Sequence, residues 1–341
     1  MISSRLVSAL MGTVFMFTLT WSAGAEAASH HHARTRARAK VVASPRLSKT
    51  VFVRHSRSGV RKAVFLPHAE AEYDREGNPL LKSSAFLVQD MDSGQILLEK
   101  NSTLAQPIAS ISKLMTAMVV LDANLDLTEM LEVGDDDVDR LKGTSSHLPV
   151  GTRLSREDML RLALMASENR AASALSRYYP GGHSAFIEAM NIKSTALGLH
   201  ETRFYDSIGL NKNNVASARD LVTMTTAASH YPLIREFTTT AEYSVPINGR
   251  ERAFHNTNAL VRNSDWQINL SKTGYINESG KCLVMQAVLA NKRLAIILLD
   301  SLGRFTRVAD AIRIRKWVEN AVVVPTVPAR VASATVVTHL D

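Results

Sequence analysis

Hydrophobic positions along the 341 residues change spacing several times, and each change marks a boundary. Leu6–Trp21 is a nearly continuous apolar run. Residues 28–80 show little sustained periodicity, with Val51–Val53 and Val64–Leu66 as brief exceptions. Ala85–Asp90 and Gln95–Lys100 then alternate or run apolar around Asp92-Ser93-Gly94, which predicts a β-hairpin. Helical spacing takes over from Ser110 to about His230. Ser110–Leu121 is apolar nearly all round and predicts a mostly buried helix, approached through Pro107. Arg156–Ala166 is amphipathic, with Ser155 as its cap and Asp158 as capping-box partner. A helix over Ala171–Tyr179 and another opening at Ser217, with Asp220, follow. Strand patterns return from about Tyr243 to Ser301, among them Trp266–Tyr275 and Leu283–Leu289 across a turn at Asn277–Gly280. Arg304–Asn320 predicts a closing helix through Val308, Ala311, Ile312, Ile314 and Val318. Strands at both ends with helices between them predict an α/β fold, an antiparallel β-sheet flanked by helices.

Charge divides the chain further. The net charge is +8. Between Glu26 and Pro67 lie Arg34, Arg36, Arg38, Lys40, Arg46, Lys49, Arg54, Arg57, Arg61 and Lys62, against Glu26 alone. The remainder is slightly acidic, so the basicity belongs to a tail whose composition predicts disorder. Such a tail suits anionic lipid headgroups or acidic wall polymers, or is simply a solvated linker. Arg5, the apolar run after it and the small-residue sites Ala23-Gly24-Ala25 and Ala25-Glu26-Ala27 read as a secretory signal. The run is short for a membrane span, which needs about 20 residues, so an uncleaved anchor is the second reading. Export argues against nucleic acid as a partner. The division expected is a signal peptide over 1–27, a basic linker over 28–80, one folded domain over 81–322 and a tail over 323–341, where Pro325 and Pro328 oppose a long helix. The lone Cys282 permits no internal disulfide, and its apolar setting predicts a buried strand thiol. His30-His31-His32 reads as a solvated run, and no metal site is expected.

Three short motifs carry the chemistry: Ser110-Ile111-Ser112-Lys113, Ser167-Glu168-Asn169 and Lys272-Thr273-Gly274. A serine hydroxyl is a weak nucleophile until a base takes its proton. Residues three apart on a helix share a face, so Lys113 can reach Ser110. That amine serves as a base near pH 7 only if its pKa falls about three units below its usual ~10.4. Burial and a second cation, Lys272, are expected to push it down. Ser167 and Asn169 fall between two helices, where a hydroxyl and an amide can bond Lys113 and a substrate peptide. A strand edge at Lys272–Gly274 offers backbone groups to an extended peptide, and Gly274 allows close approach.

These motifs, in this order, resemble the active-site set of penicillin-recognising serine acyltransferases. Pro107-Ile108-Ala109-Ser110-Ile111-Ser112-Lys113-Leu114-Met115-Thr116-Ala117 resembles the low-molecular-mass penicillin-binding proteins, which are D-alanyl-D-alanine carboxypeptidases and endopeptidases. The stretches 162–172, 178–182 and Asn256-Thr257-Asn258 resemble the endopeptidase branch, the penicillin-binding protein 7 type. The resemblance runs from about Ser83 to about Asn320. It implies an all-helical subdomain beside the sheet, with the active site at their junction. It implies that Ser110 is acylated, that Lys113 is its base, and that Ser167 and Asn169 relay protons and orient substrate. Lys272 and Thr273 would recognise a carboxylate beside Gly274. The backbone N–H groups of Ser110 and Tyr275 would form the oxyanion hole. The implied partners are peptidoglycan peptide stems, with β-lactams as covalent inhibitors, in the periplasm and without metal or organic cofactor. Carboxypeptidase action is the alternative to endopeptidase action. A class A β-lactamase is less favoured, because Glu201-Thr202-Arg203-Phe204-Tyr205-Asp206 shows no E-x-x-x-N pattern for a deacylating glutamate. A non-catalytic wall-binding scaffold is disfavoured by three intact motifs.

Overall fold

The computed structural model describes residues 73–303 and 305–323, the side chains of 321–323 excepted. The expected signal segment, His30-His31-His32, the basic tail up to residue 72 and the segment after Val323 lie outside the described residues.

Alternation near the start becomes β1 (Ser83–Asp90) and β2 (Ile96–Lys100), paired antiparallel. Gly94 takes the left-handed backbone at their turn (φ +72°), and the Asp90 carboxylate accepts the N–H groups of Asp92 and Ser93. A two-residue strand β3 (Gln106–Pro107) leads into a 3-10 turn, Ala109–Ser112, and then α1 (Lys113–Asp122). Strands β4 (Met130–Glu132) and β5 (Arg153–Ser155) pair with each other. Helices α2 (Arg156–Met165), α3 (Asn169–Arg177) and α4 (Gly182–Ala196) follow. Strand β6 (Val215–Ala216) returns to β3, and α5 (Ala218–Ala228) and α6 (Pro232–Thr239) complete the helical part. Strands β7 (Glu242–Ile247) and β8 (Arg250–His255) form a separate hairpin. Its turn is Asn248-Gly249, both at positive φ, the residue pair favoured in tight hairpins. Strands β9 (Gln267–Ile276), β10 (Gly280–Leu289) and β11 (Lys292–Ser301) are followed by α7 (Thr306–Val323).

The main sheet runs β2-β1-β11-β10-β9, antiparallel throughout, with β9 at an edge. Both its faces are covered. Leu87, Leu270, Val284, Ile297 and Leu299 belong to a core shared with Leu114, Met115 and Met118 of α1. Val88, Leu283, Met285, Ile296 and Leu298 pack with Ala311, Ile314 and Val318 of α7. That is why β10 and β11 read as apolar runs and not as alternation. Helix α1 is buried over Lys113–Val120, a core helix with no polar face.

Capping follows the sequence. Ser155 Oγ accepts the Asp158 N–H at 3.0 Å and donates to its carboxylate at 2.7 Å, and Ser217 accepts the Asp220 N–H. Four expectations shift. Ser110 precedes α1 because Ala109 is left-handed (φ +49°), which breaks the helix there. Helix α3 starts at Asn169. Helix α6, with Pro232 at its first position, lies beyond the expected helical region. Ile312 is 39% exposed on α7. The described residues before Leu81 make contacts of their own: Tyr73 bridges Pro79, and Trp317 Nε1 donates to the Gly77 carbonyl at 3.0 Å. Among the described residues no helix is long and apolar enough to cross a membrane.

Candidate active site

The three motifs converge where the 3-10 turn and α1, the α2–α3 junction and β9 meet. Lys113 Nζ lies 2.8 Å from Ser110 Oγ, 2.8 Å from Asn169 Oδ1 and 2.6 Å from the Ile208 carbonyl. Lys113 is 1% exposed, whereas Ser110 is half-buried. Burial pulls the Lys113 pKa down to about 7, against an upward pull from the Asp206 and Glu168 carboxylates.

When Lys113 is neutral, its three neighbours can divide its hydrogens and lone pair in one way, although the Ser110 hydroxyl also lies 3.4 Å from the Ile208 carbonyl. A neutral amine has two hydrogens and one lone pair. Asn169 Oδ1 and the Ile208 carbonyl only accept, so they take both hydrogens. The lone pair is left to the Ser110 hydroxyl, which alone of the three partners can donate. The amide orientation of Asn169 is set from behind. Its Nδ2 donates to Thr144 Oγ1 at 3.0 Å, and that hydroxyl donates to Asp139 at 2.7 Å. Partial burial works against the Asp139 charge, yet N–H groups of Lys142 and Thr144 and the Thr144 hydroxyl hold its pKa below the ordinary value.

Lys272 is also 1% exposed. Its Nζ donates to Ser167 Oγ at 2.9 Å and to the Thr273 carbonyl at 3.1 Å. Burial, then the charges of Lys113 and Arg307, push its pKa well below the ordinary lysine range. The expected crowding of Lys113 by Lys272 is therefore corrected in order of importance. Burial is the leading cause at Lys113, and the neighbour's charge is felt at Lys272. Ser167 holds its hydroxyl there from a left-handed backbone, φ +61°, a conformation costing about 1–2 kcal/mol for a residue with a Cβ. Thr273 Oγ1 lies 2.6 Å from Thr257 Oγ1. Tyr275 follows on the edge strand β9, 53% exposed, its hydroxyl donating to Asn277.

Ser112 is no rival nucleophile. It is fully buried, donates to the Ala109 carbonyl at 2.8 Å and accepts from Asn214 Nδ2. Two glycines press on the serine turn. A Cβ on Gly274 would stand 2.7 Å from the Ile108 carbonyl and 3.2 Å from Ser110 N. One on Gly209 (φ +83°) would stand 2.1 Å from the Ala109 carbonyl oxygen.

Several contributors have no motif. The Asp206 carboxylate accepts the backbone N–H groups of Ile208, Gly209, Leu210 and Asn211 and the Asn214 amide. It thereby shapes the loop that aims the Ile208 carbonyl at Lys113. Arg307, from α7, donates to the Gly274 carbonyl at 3.1 Å. Arg307 lies in the expected closing helix, but nothing in its sequence context connects it to β9. Cys282 is buried on β10, and burial raises its thiol pKa to about 11, which leaves it inert at neutral pH. No cluster of three or more His, Cys, Asp or Glu suited to a metal occurs among the described residues.

The arrangement can generate a serine alkoxide and hold an extended peptide along β9. The profile of the D-alanyl-D-alanine carboxypeptidase family matches residues 73–303. The chain is 45% identical over 257 residues to the D-alanyl-D-alanine endopeptidase of Escherichia coli K12, covering 75% of this chain and 83% of that one. It is 45% identical over 251 residues to the D-alanyl-D-alanine endopeptidase of Pseudomonas aeruginosa, covering 72% and 81%. Its fold matches the crystal structure of the Streptomyces K15 DD-transpeptidase with a TM-score of 0.65 at 27% identity, over 70% of this chain and 98% of that one. Motifs, geometry and relatives agree, and the chain belongs to the D-alanyl-D-alanine carboxypeptidase family of serine peptidases.

Proposed function

We propose that this protein is a serine DD-endopeptidase that cuts D-alanyl cross-links in peptidoglycan. The observation that carries the reading is the buried Lys113 amine, 2.8 Å from Ser110 Oγ with its other two partners acceptors only. Lys113 takes the Ser110 proton as the oxygen attacks the D-alanyl carbonyl. The oxyanion sits between the backbone N–H groups of Ser110 and Tyr275, where each aimed donor is worth about 3–4 kcal/mol. Asn169 keeps Lys113 in place and faces the substrate backbone. Ser167, in contact with Lys272, passes the proton to the leaving amine. Lys272, Thr273 and Gly274 receive the leaving-group side, with its carboxylate. Water then releases the acyl group.

Penicillins acylate the same serine and leave slowly. Asp206 is committed to four backbone N–H groups, and Glu168 accepts from Ser146 and His147. Neither is poised to activate a deacylating water. The choice of endopeptidase over carboxypeptidase is supported by the names of the two relatives at 45% identity. Secretion to the periplasm fits the N-terminal signal pattern, and the basic tail would favour anionic surfaces of the envelope.

Digestion of purified cross-linked wall fragments, read by mass spectrometry, tests the reading. Conversion of dimers to monomers is the expected result, and loss of terminal D-alanine alone would transfer the assignment to a carboxypeptidase. Fluorescent penicillin should label the protein and Ser112→Ala, but not Ser110→Ala.

A further inference from the structure

Two charged side chains from opposite walls of the cleft meet beyond the Tyr275 end of β9, and the chemistry above uses neither. Lys142 lies two residues before Thr144, the residue that orients Asn169. Its segment is tied to the second motif again where Ser146 and His147 bond Glu168. Glu278 lies in the β9–β10 turn, three residues past Tyr275. The two form an ion pair across the mouth of the cleft. Their side chains are 26% and 35% exposed. An exposed pair of long side chains adds little to stability and opens readily. The Lys142 hydrogen bond, with Lys212 nearby, holds the Glu278 carboxylate below its ordinary pKa, so it is charged at neutral pH.

Strand pairing says which part of a substrate would arrive there. The leaving group lies by Lys272 and Thr273, and the scissile carbonyl between Ser110 and Tyr275. An acyl-donor peptide added antiparallel to β9 then runs upstream past Ile276 towards Glu278. At about 3.3 Å per residue, the residue before the scissile D-alanine reaches this turn. In a wall stem that residue is a diamino acid, whose alkyl side chain ends in an amine, with or without a carboxylate. The Tyr275 ring, half-exposed on the way, carries the Lys281 ammonium 4.0 Å from its centroid, a further charge that a substrate carboxylate would meet. An ammonium matches Glu278 and a carboxylate matches Lys142, so the pair compensates itself until such an end displaces it.

We propose that Lys142 and Glu278 form a specificity subsite for the charged side-chain end of the diamino acid preceding the scissile D-alanine. This rests on the DD-peptidase reading. The test uses two synthetic cross-linked stem dimers that differ only at the donor's side-chain end, free in one and acetylated and amidated in the other. The full-length protein should prefer the free end by roughly tenfold in kcat/KM. Glu278→Gln and Lys142→Met should each bring that ratio towards one, while penicillin acylation, which presents no such end, stays within about twofold. A ratio unchanged in both variants overturns the subsite, as does a wild-type protein that cleaves the two dimers equally. So does a parallel fall in penicillin acylation, which would mark the pair as a brace for the site. Failure of the underlying reading looks different: the wild-type protein would cleave neither dimer.

Discussion

Lys113 is a side chain whose function depends on being uncomfortable. With its pKa near 7, Lys113 in the proposed role of base is competent only as the neutral amine, so the penicillin acylation rate should climb as pH rises through about 7 and level off above. A rate independent of pH between about 6 and 8 would remove Lys113 as base. The same shift has a stability sign. The ordinary lysine pKa is 10.5, and folding depresses that of Lys113. Between the two values the unfolded chain therefore binds a proton that the native chain has released. Native stability gained from this group accordingly rises with pH across that window. Denaturant midpoints taken at about pH 7.5 and 9.5 should show that slope, and Lys113→Met should reduce it, leaving the part that comes from Lys272. Ser167 carries a related cost in its backbone. Ser167→Gly relieves left-handed strain of about 1 kcal/mol and removes the Lys272 contact. The lost contact leaves a buried amine short of a partner, at a cost of about 1–3 kcal/mol that offsets the relieved strain. The expected outcome is a melting temperature no higher than that of the parent protein, with acylation reduced by about tenfold or more. The motif residues were legible because each chemical pair is contiguous or one turn apart. Asp206, the Ile208 carbonyl and Gly209 were not, since the Asp206 carboxylate is taken up by main-chain N–H groups and the other two act through their own backbone, which no residue type announces. Arg307 was hidden by distance, reaching β9 from the far end of the chain.

Elements were readable where the local signal and the tertiary demand agreed. The Ser155 cap of α2 is one such case, and Ser155→Ala should cost about 1 kcal/mol in urea denaturation without altering penicillin labelling. Elsewhere a buried contact overrides the local pattern. The run from Ser110 is helical by periodicity, yet its first turn tightens because Ala109 must turn left-handed against Gly209 and Gly274. Gly209→Ala places a Cβ into that turn. It should abolish detectable acylation and lower stability by more than the roughly 1–2 kcal/mol of backbone strain alone. Retained acylation would show that the turn can yield. Helix α6 was missed for a different reason. Its eight residues are too few for a periodic pattern, and it is held by packing against β9 and α2.

At the scale of the molecule, the sheet is covered on both faces and has β2 and β9 as its edges. Covered faces account for the apolar run at Leu283–Leu289, and β9 lies at the edge along which the proposed peptide would pair. Asp310 joins the two ends of the fold. It is fully buried on α7 and accepts the N–H groups of Lys82 and Ser83 and the Ser83 hydroxyl. Asp310→Ala orphans these groups at the start of β1. It should destabilise the protein by about 3 kcal/mol, with the penicillin-labelled fraction falling as the protein melts and not before.

Main chain, not side chain, forms the floor under the nucleophile, because the two glycines that clamp its turn have nothing to trim and no room to grow. Mutational drift towards a different antibiotic sensitivity therefore finds no foothold beneath the serine. It is channelled outward to the rim, where charge can be exchanged without disturbing the backbone.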